Sequence, residues 1–446
     1  MHSLARCAAT LALAAAGVVA VYGCTEKLEG GNTCPLLCPG QSIELQDTLL
    51  AAISIDTTLP GFPSLGAEPL LTLAARGDTL DTRIIVRYDT LPSVYRPTSA
   101  TTDAPIEALD SARLAIRIQY PNPDSLKTLT VEAYDVDTTT TDPADTTAAS
   151  MLPLFRTDRF LGAVTFTPRQ VATTNAPGAT TPDSTLRIPI DSTYLLTKIL
   201  GKGRLRVGLL LRSAESAEVT FQGLNALRAV NITLYVPSST PVPVATPYSA
   251  VPTERFVGSQ LSDFVIVAAR RPPETPAAIL AVGGVPGKRT YFRFDLPSKI
   301  VDSTSVVRAT LLLTQYPNRL AARPDDSVSV YPSPVAAGEN VTDIRTAAGL
   351  LSPIFATGLR DLFRLDSLRL APNDSGQVEV EVVGVVQAWR ATTPAQATRA
   401  LVLNYPFAAE GVVTQELYFF STEAGTEELR PKLRIVYAPR VGFGLP

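Results

Sequence analysis

From about residue 43 onward, almost every periodic segment of this chain is short and alternates apolar with polar side chains. That is the pattern of a strand with one face buried. Leu114-Ala115-Ile116-Arg117-Ile118 and Leu129-Thr130-Val131-Glu132-Ala133-Tyr134 show it in the first half. Val328-Ser329-Val330 and Leu433-Arg434-Ile435-Val436-Tyr437 show it in the second. Helical spacing is rare, the best candidate being the short segment 383–390. The fold class this predicts is all-β. With 45% apolar and 18% charged residues, a chain of 446 residues can bury more than one core.

The two halves resemble each other. Arg87-Tyr88-Asp89-Thr90-Leu91-Pro92 is matched by Arg293-Phe294-Asp295-Leu296-Pro297, and Ala112-Arg113-Leu114-Ala115-Ile116 by Ala309-Thr310-Leu311-Leu312-Leu313. Each run leads into the same tetrapeptide, Gln119-Tyr120-Pro121-Asn122 and Gln315-Tyr316-Pro317-Asn318. The offset is 197 at the alanines and 196 at the tetrapeptide, so one residue is gained or lost between them, which a β-bulge would absorb. Each half closes on an alternating strand, Ile232-Thr233-Leu234-Tyr235-Val236 and 433–437. Between the halves, 239–252 has the proline-rich composition of a semi-rigid linker. The expected organisation is a signal segment at 1–23, a tether at 24–42, and β-sandwich domains at 43–238 and 253–440.

The first residues read as a targeting segment: His2 and Arg6, then an uncharged run over 7–22 rich in Ala, Leu and Val. It is short and alanine-rich for a membrane span, which wants about 20 strongly apolar residues. Val21-Tyr22-Gly23-Cys24 resembles the lipobox of bacterial lipoproteins, in which the cysteine is lipidated and becomes the new N-terminus. The resemblance implies that Cys24 holds the protein on a membrane of the cell envelope. Thr25, rather than Asp, follows it, which resembles the pattern sorted to the outer membrane. The alternative is an ordinary secretory signal cut near Gly23.

Cys34 and Cys38 remain in the tether, and in an exported protein a disulfide between them is the simplest reading. Two thiols are half a zinc site, and the only histidine, His2, lies in the signal segment. Histidine-dependent triads, histidine general bases and histidine-ligated metals are thereby excluded from the mature chain. No phosphate-cradling loop, dinucleotide fingerprint or nucleophile elbow is present, so no enzyme activity is expected, and no cofactor. The acids Asp135, Asp137, Asp142 and Asp145 offer oxygens that calcium could use, but their spacing matches no EF-hand, and a solvated acidic loop is the simpler reading. A net charge of −3 without a basic stripe marks no nucleic-acid surface.

The second half resembles the DNRLRE-type domains, secreted jelly-roll β-sandwiches. The likeness rests on Tyr291-Phe292-Arg293-Phe294-Asp295-Leu296, Ala309-Thr310-Leu311-Leu312-Leu313, Val385-Val386-Gln387-Ala388-Trp389, Phe420-Ser421-Thr422-Glu423 and Pro431-Lys432-Leu433. It covers roughly 255–440 and lacks the tryptophan-containing segment usual in mid-domain. What it implies is two tandem jelly-roll-like sandwiches in a companion of polysaccharide-degrading systems. Tyr291, Tyr316, Tyr405 and Tyr418, near expected strand ends, are the candidate stacking platform for a sugar. Trp389 follows an apolar run and is expected in the core. Tyr120 and Tyr316 end equivalent strands, as corners or as platforms. Two functional classes follow: a membrane-held, non-catalytic protein binding a polysaccharide or another extracellular polymer, and a structural or assembly lipoprotein that docks proteins. A carboxylate-dependent polysaccharide-degrading enzyme is a third.

Overall fold

The computed structural model describes residues 46–51, 55–62, 70–77, 79–88, 91–97, 100–137, 145–173, 183–222, 230–238, 241–245, 264–270, 275–294, 296–297, 300, 304–335, 367–391, 399–406 and 409–439. Cys24, Cys34 and Cys38 lie outside them. The first half contributes β1 (Gln46–Ala51), β2 (Ile55–Phe62), β3 (Leu70–Arg76), β4 (Leu80–Tyr88), β5 (Val94–Tyr95), β6 (Ala104–Pro105), β7 (Ser111–Arg117), β8 (Leu129–Asp135), β9 (Phe160–Phe166), β10 (Thr185–Ile190), helix α1 (Ser192–Leu200), β11 (Leu205–Arg212), β12 (Ala217–Gln222) and β13 (Val230–Val236). The second contributes β14 (Val242–Ala245), β15 (Phe264–Arg270), β16 (Ile279–Gly283), β17 (Gly287–Arg293), β18 (Thr304–Tyr316), β19 (Val328–Val335), β20 (Leu368–Leu370), β21 (Gly376–Glu381), helix α2 (Val383–Ala391), β22 (Ala400–Asn404), β23 (Glu416–Phe420) and β24 (Lys432–Pro439). The protein is all-β, and α2 falls on the segment whose spacing predicts a helix.

The repeat extends to the strand order. In the first half, β12-β3-β4-β11-β8-β9 forms one sheet and β10-β7-β13 forms most of another. The second half repeats both paths as β23-β16-β17-β22-β19-β20 and β21-β18-β24. The helices α1 and α2 occupy the same place, each following the strand that flanks β7 or β18. Alternation puts Leu114 and Ile116 of β7, Leu186 and Ile188 of β10, and Leu209 and Leu211 of β11 into one shared core, each nearly or wholly buried. Phe292, Leu311, Leu401, Phe419 and Leu433 occupy a second core. Full burial of such a side chain contributes about 1.5–3 kcal/mol. In the second half β23 pairs with both β16 and β18, which makes its two layers one curled sheet. In the first half the same junction is a lone bridge between Ile118 and Phe221.

The asparagines of the repeated tetrapeptides do equivalent work. The Asn122 side-chain amide donates to the carbonyl of Thr220, and that of Asn318 to the carbonyl of Glu416, at 3.4 and 3.0 Å. The extra residue of the first half falls where its strand leaves the sheet: β7 ends at Arg117, whereas β18 runs on to Tyr316. The register shift along β18 lies earlier, between Val306 and Arg308, so the bulge expected between alanine and tetrapeptide is displaced.

The strands do not follow the partition at 43–238 and 253–440. β1 pairs with β24, and β2 with β17, both in the second half. Reciprocally, β14 pairs with β13, and β15 with β4, both in the first. The leading two strands of each repeat thus complete the other repeat's sandwich. The opening for them is geometric. β3 and β4 pair only near their turn, at 74–76 with 80–82, and β16 and β17 pair at Gly283 with Lys288 alone. The edges left bare on β4 and β17 are the ones β15 and β2 occupy. Side chains secure the exchange: Asp56 of β2 accepts from the backbone N–H and the hydroxyl of Thr422 at 2.6 and 2.8 Å. Thr58 of β2 lies 3.0 Å, oxygen to oxygen, from Thr290 of β17. Residues 45–446 accordingly form one compact unit.

Candidate functional site

The two sandwiches meet along a seam built on β3 and β12 from one side and 412–416 from the other. Every residue of β12 except Gln222 is buried, including Glu218 and Thr220, which in a one-sided strand would face water. Thr72 of β3 donates its hydroxyl to the carbonyl of Val412 at 3.0 Å and lies 3.3 Å from the Thr220 hydroxyl. Val285, from the turn between β16 and β17, is buried in the first half's core.

Two charges sit in this seam. Arg76 and Glu218, each with a side chain only 6% exposed, pair directly. Thr414, which is 196 residues on from Glu218 and so its repeat equivalent, donates to the same carboxylate at 2.7 Å. Arg323 approaches the other Glu218 oxygen at 3.0 Å and Asp124 at 3.1 Å. Asp124 in turn takes Lys127 at 3.0 Å and the backbone N–H of Glu218 at 2.8 Å. Burial is the main force lowering the pKa of Arg76; Glu218 opposes it, and the like charge of Arg323 adds to it. Arginine nonetheless stays protonated at any ordinary pH, so the seam holds a compensated ionic network.

Above the network opens a cleft of about 370 Å³, lined by Glu218, Thr220, Arg323, Asp326, Ser327, Arg369 and Gln415, with Pro123, Val328, Val412 and Val413 as apolar wall. It draws on both repeats and falls in the size range of small-ligand sites. Planar amide, carboxylate and guanidinium groups beside hydroxyls can pair with the donors and acceptors of a polyol. Glu218 is held by two arginines and a threonine. Tyr120, about half exposed, lies on the same turn as Pro123; the carbonyl of Thr220 fixes that turn by accepting from Gln119 N–H and the Asn122 side chain.

The four tyrosines expected to form a platform do not form one. Tyr291 is 0% exposed, Tyr405 1% and Tyr418 7%. Burial pushes the Tyr291 phenol up to about 12 and the Tyr405 phenol well above its usual value. Tyr405 packs on Gly283, where an added Cβ would stand 2.3 Å from the ring and φ is +89°, and its hydroxyl donates to the Gln415 carbonyl at 3.0 Å. Tyr418 borders only a void of about 30 Å³ and donates to Glu416 at 3.2 Å. Tyr316 meets Phe420 edge-on at 5.4 Å. Tyr291, Tyr405 and Tyr418 belong to strands or strand ends covered on both faces, whereas Tyr316 is half-buried. Trp389 is in the core, its indole N–H donating to the Ala400 carbonyl at 3.0 Å.

Asp135 and Asp137 face cations: Lys198 stands 3.1 Å from Asp135, and Arg204 3.0 Å from Asp137. Tyr194 donates to Asp135; burial first, and this carboxylate second, raise its phenol. These two acids therefore belong to an ion-pair cluster at the base of α1 rather than to a solvated loop. Asp142 lies outside the described residues, as does the side chain of Asp145. Among the described residues no group of three or more metal-ligating side chains is assembled, and no helix is long and apolar enough to cross a membrane.

Sequence reasoning did not single out Arg76, Asp124, Glu218, Arg323 or Arg369. Each is an isolated charge in a polar position, and only the match of Glu218 with Thr414 across the repeat could have flagged the seam.

No family model and no curated protein matches the chain. Among solved structures it is similar, at 8% identity and a TM-score of 0.12, to the N-terminal CBM22-1–CBM22-2 tandem domain of Xyn10C from Paenibacillus barcinonensis, over 89% of this chain and 100% of that one. It is similar at 10% identity and a TM-score of 0.11 to infectious bursal disease virus, Gx strain, over 88% and 78% of the two chains. Scores this low carry no argument about ligand or ancestry, and the all-β assignment rests on the strands described above.

Proposed function

We propose that the protein is a non-catalytic lipoprotein of the bacterial cell envelope, held by lipid on Cys24 at the outer membrane, that binds a polysaccharide. The observation that carries this reading is the polar cleft on the seam, furnished by both repeats. The sugar contacts belong to Arg369, Asp326, Ser327 and Gln415, with Tyr120 as the exposed ring beside them. The resemblance to lipobox and DNRLRE-type sequences supports the setting. A single cleft of this size binds a short glycan segment at micromolar to millimolar strength, about −4 to −8 kcal/mol, and display of many copies on a membrane multiplies it.

Calorimetric titration of the purified chain against neutral and acidic oligosaccharides tests the reading. Binding to at least one, weakened at least about tenfold by Arg369→Ala (1.4 kcal/mol), is expected. Fractionation of cells carrying Cys24→Ser, with the protein moving from membranes to a soluble fraction, tests the anchor separately. Burial of Tyr291, Tyr405 and Tyr418 favours a second reading, a structural lipoprotein that uses the fused sandwiches as a rigid spacer. The absence of heat with every glycan would select it.

A further inference from the structure

We propose that β1 and β2 are an exchangeable closing pair, and that the same pair from a second copy of this chain can fill their seat, joining copies through residues 46–62. The seat is built from two strand edges of the second sandwich. It consists of the free edge of β24, which takes β1 over six residue pairs from Gln46–Tyr437 to Ala51–Lys432. It continues along the edge of β17, which takes β2 from Gly287–Phe62 to Arg293–Ile55. The equivalent seat in the first sandwich is filled by β14 and β15, which lie between the two cores in the chain and are tethered to both. β1 and β2 differ in one respect: among the described residues they precede every strand of both cores, and they run on through the seven residues 63–69 to β3.

The described contacts of the pair with the second sandwich are strand ladders and side-chain bonds, such as Asp56 with Thr422 and Thr58 with Thr290. A second copy offers the same atoms in the same order. Exchange between copies therefore keeps all contacts and alters only the entropy of closure, the condition under which swapping is a low-cost route to oligomers. A short connection to the exchanged element favours it. The closed chain and the joined chains are alternative occupancies of one seat, with concentration deciding between them. This inference is independent of the glycan reading, since no residue lining the cleft belongs to β1 or β2.

Facing cysteines test it, in a chain from residue 24 onward with Cys24, Cys34 and Cys38 replaced by serine. Thr58→Cys and Thr290→Cys are made in separate chains, mixed, unfolded, refolded together at high protein concentration and oxidised with oxidised glutathione. A disulfide-linked two-chain species, several-fold more abundant in the mixture than in either variant alone and lost on reduction, is expected. Equal amounts in the mixture and the single variants, or none, would overturn the proposal. The double variant, oxidised in dilute solution, should cross-link within one chain; failure to do so would remove the seat itself. Light scattering of the unsubstituted chain refolded at rising concentration gives a second readout. A monomer at every concentration would again overturn it.

Discussion

Tyr88 and Phe294 stand at equivalent places in the two repeats, and the difference between them is one oxygen. The Tyr88 hydroxyl is buried with no hydrogen-bond partner among the described residues, and burial alone drives its phenol far above the ordinary range. A buried, unsatisfied hydroxyl costs about 1–3 kcal/mol. Tyr88→Phe is therefore expected to raise unfolding free energy by about 1 kcal/mol in urea titration, and Phe294→Tyr to lower it; a loss with Tyr88→Phe would show that a partner is present. The buried phenols also set an alkaline limit. Tyr291 has its folded pKa at about 12, against about 10 in an unfolded chain. Between those values the folded state holds a proton that the unfolded state has released, so stability is intact below pH 10 and falls as pH rises toward 12. Denaturant midpoints measured from pH 8 to 11.5 should be flat and then drop. Why the tyrosines looked like a platform is clear at this scale. Ring identity and position near a strand end are legible in the sequence, but which strand covers the ring depends on partners far along the chain.

Among the elements, β12 shows where period-two reasoning holds and where it stops. Ala217, Val219 and Phe221 point into the core as alternation requires, but Glu218 and Thr220 are buried as well, because the second repeat lies against their face. Alternation reports a strand and its core face; it carries nothing about what covers the other face. The same limit hid the strand exchange. β2 occupies the place of an ordinary first strand, and nothing local distinguishes pairing with β4 from pairing with β17. The strand repeat, by contrast, was legible because the tetrapeptides bear a local task, the asparagine bond to a neighbouring strand. Glu218 gives the sharpest test of the seam. Its removal leaves Arg76 buried without its carboxylate, which should cost about 3–5 kcal/mol for Glu218→Ala by chemical denaturation. Arg96→Ala, which breaks the exposed pair with Asp103, should change stability by less than about 1 kcal/mol. Equal effects would mean the seam network is solvated.

For the whole molecule, reciprocal exchange changes what the connection between β14 and β15 can do. If 246–263 joined two self-sufficient domains, cutting there would release two folded pieces. Here a cut separates a fragment carrying β1 to β14 from one carrying β15 to β24, and each still holds strands that the other needs. β1 and β2 remain in the second sandwich and β15 in the first, while Arg323 still spans to Glu218 and Asp124. A protease site placed within 246–263 should therefore be cut without loss of native mass: the fragments should co-elute in size exclusion and part only in denaturant. Unfolding of the nicked protein should stay a single transition, shifted to lower denaturant because the two pieces now pay the entropy of association. Two separately eluting, folded fragments would show that each half completes itself. They would also remove the seam as a fixed surface, and with it the cleft that needs side chains from both repeats.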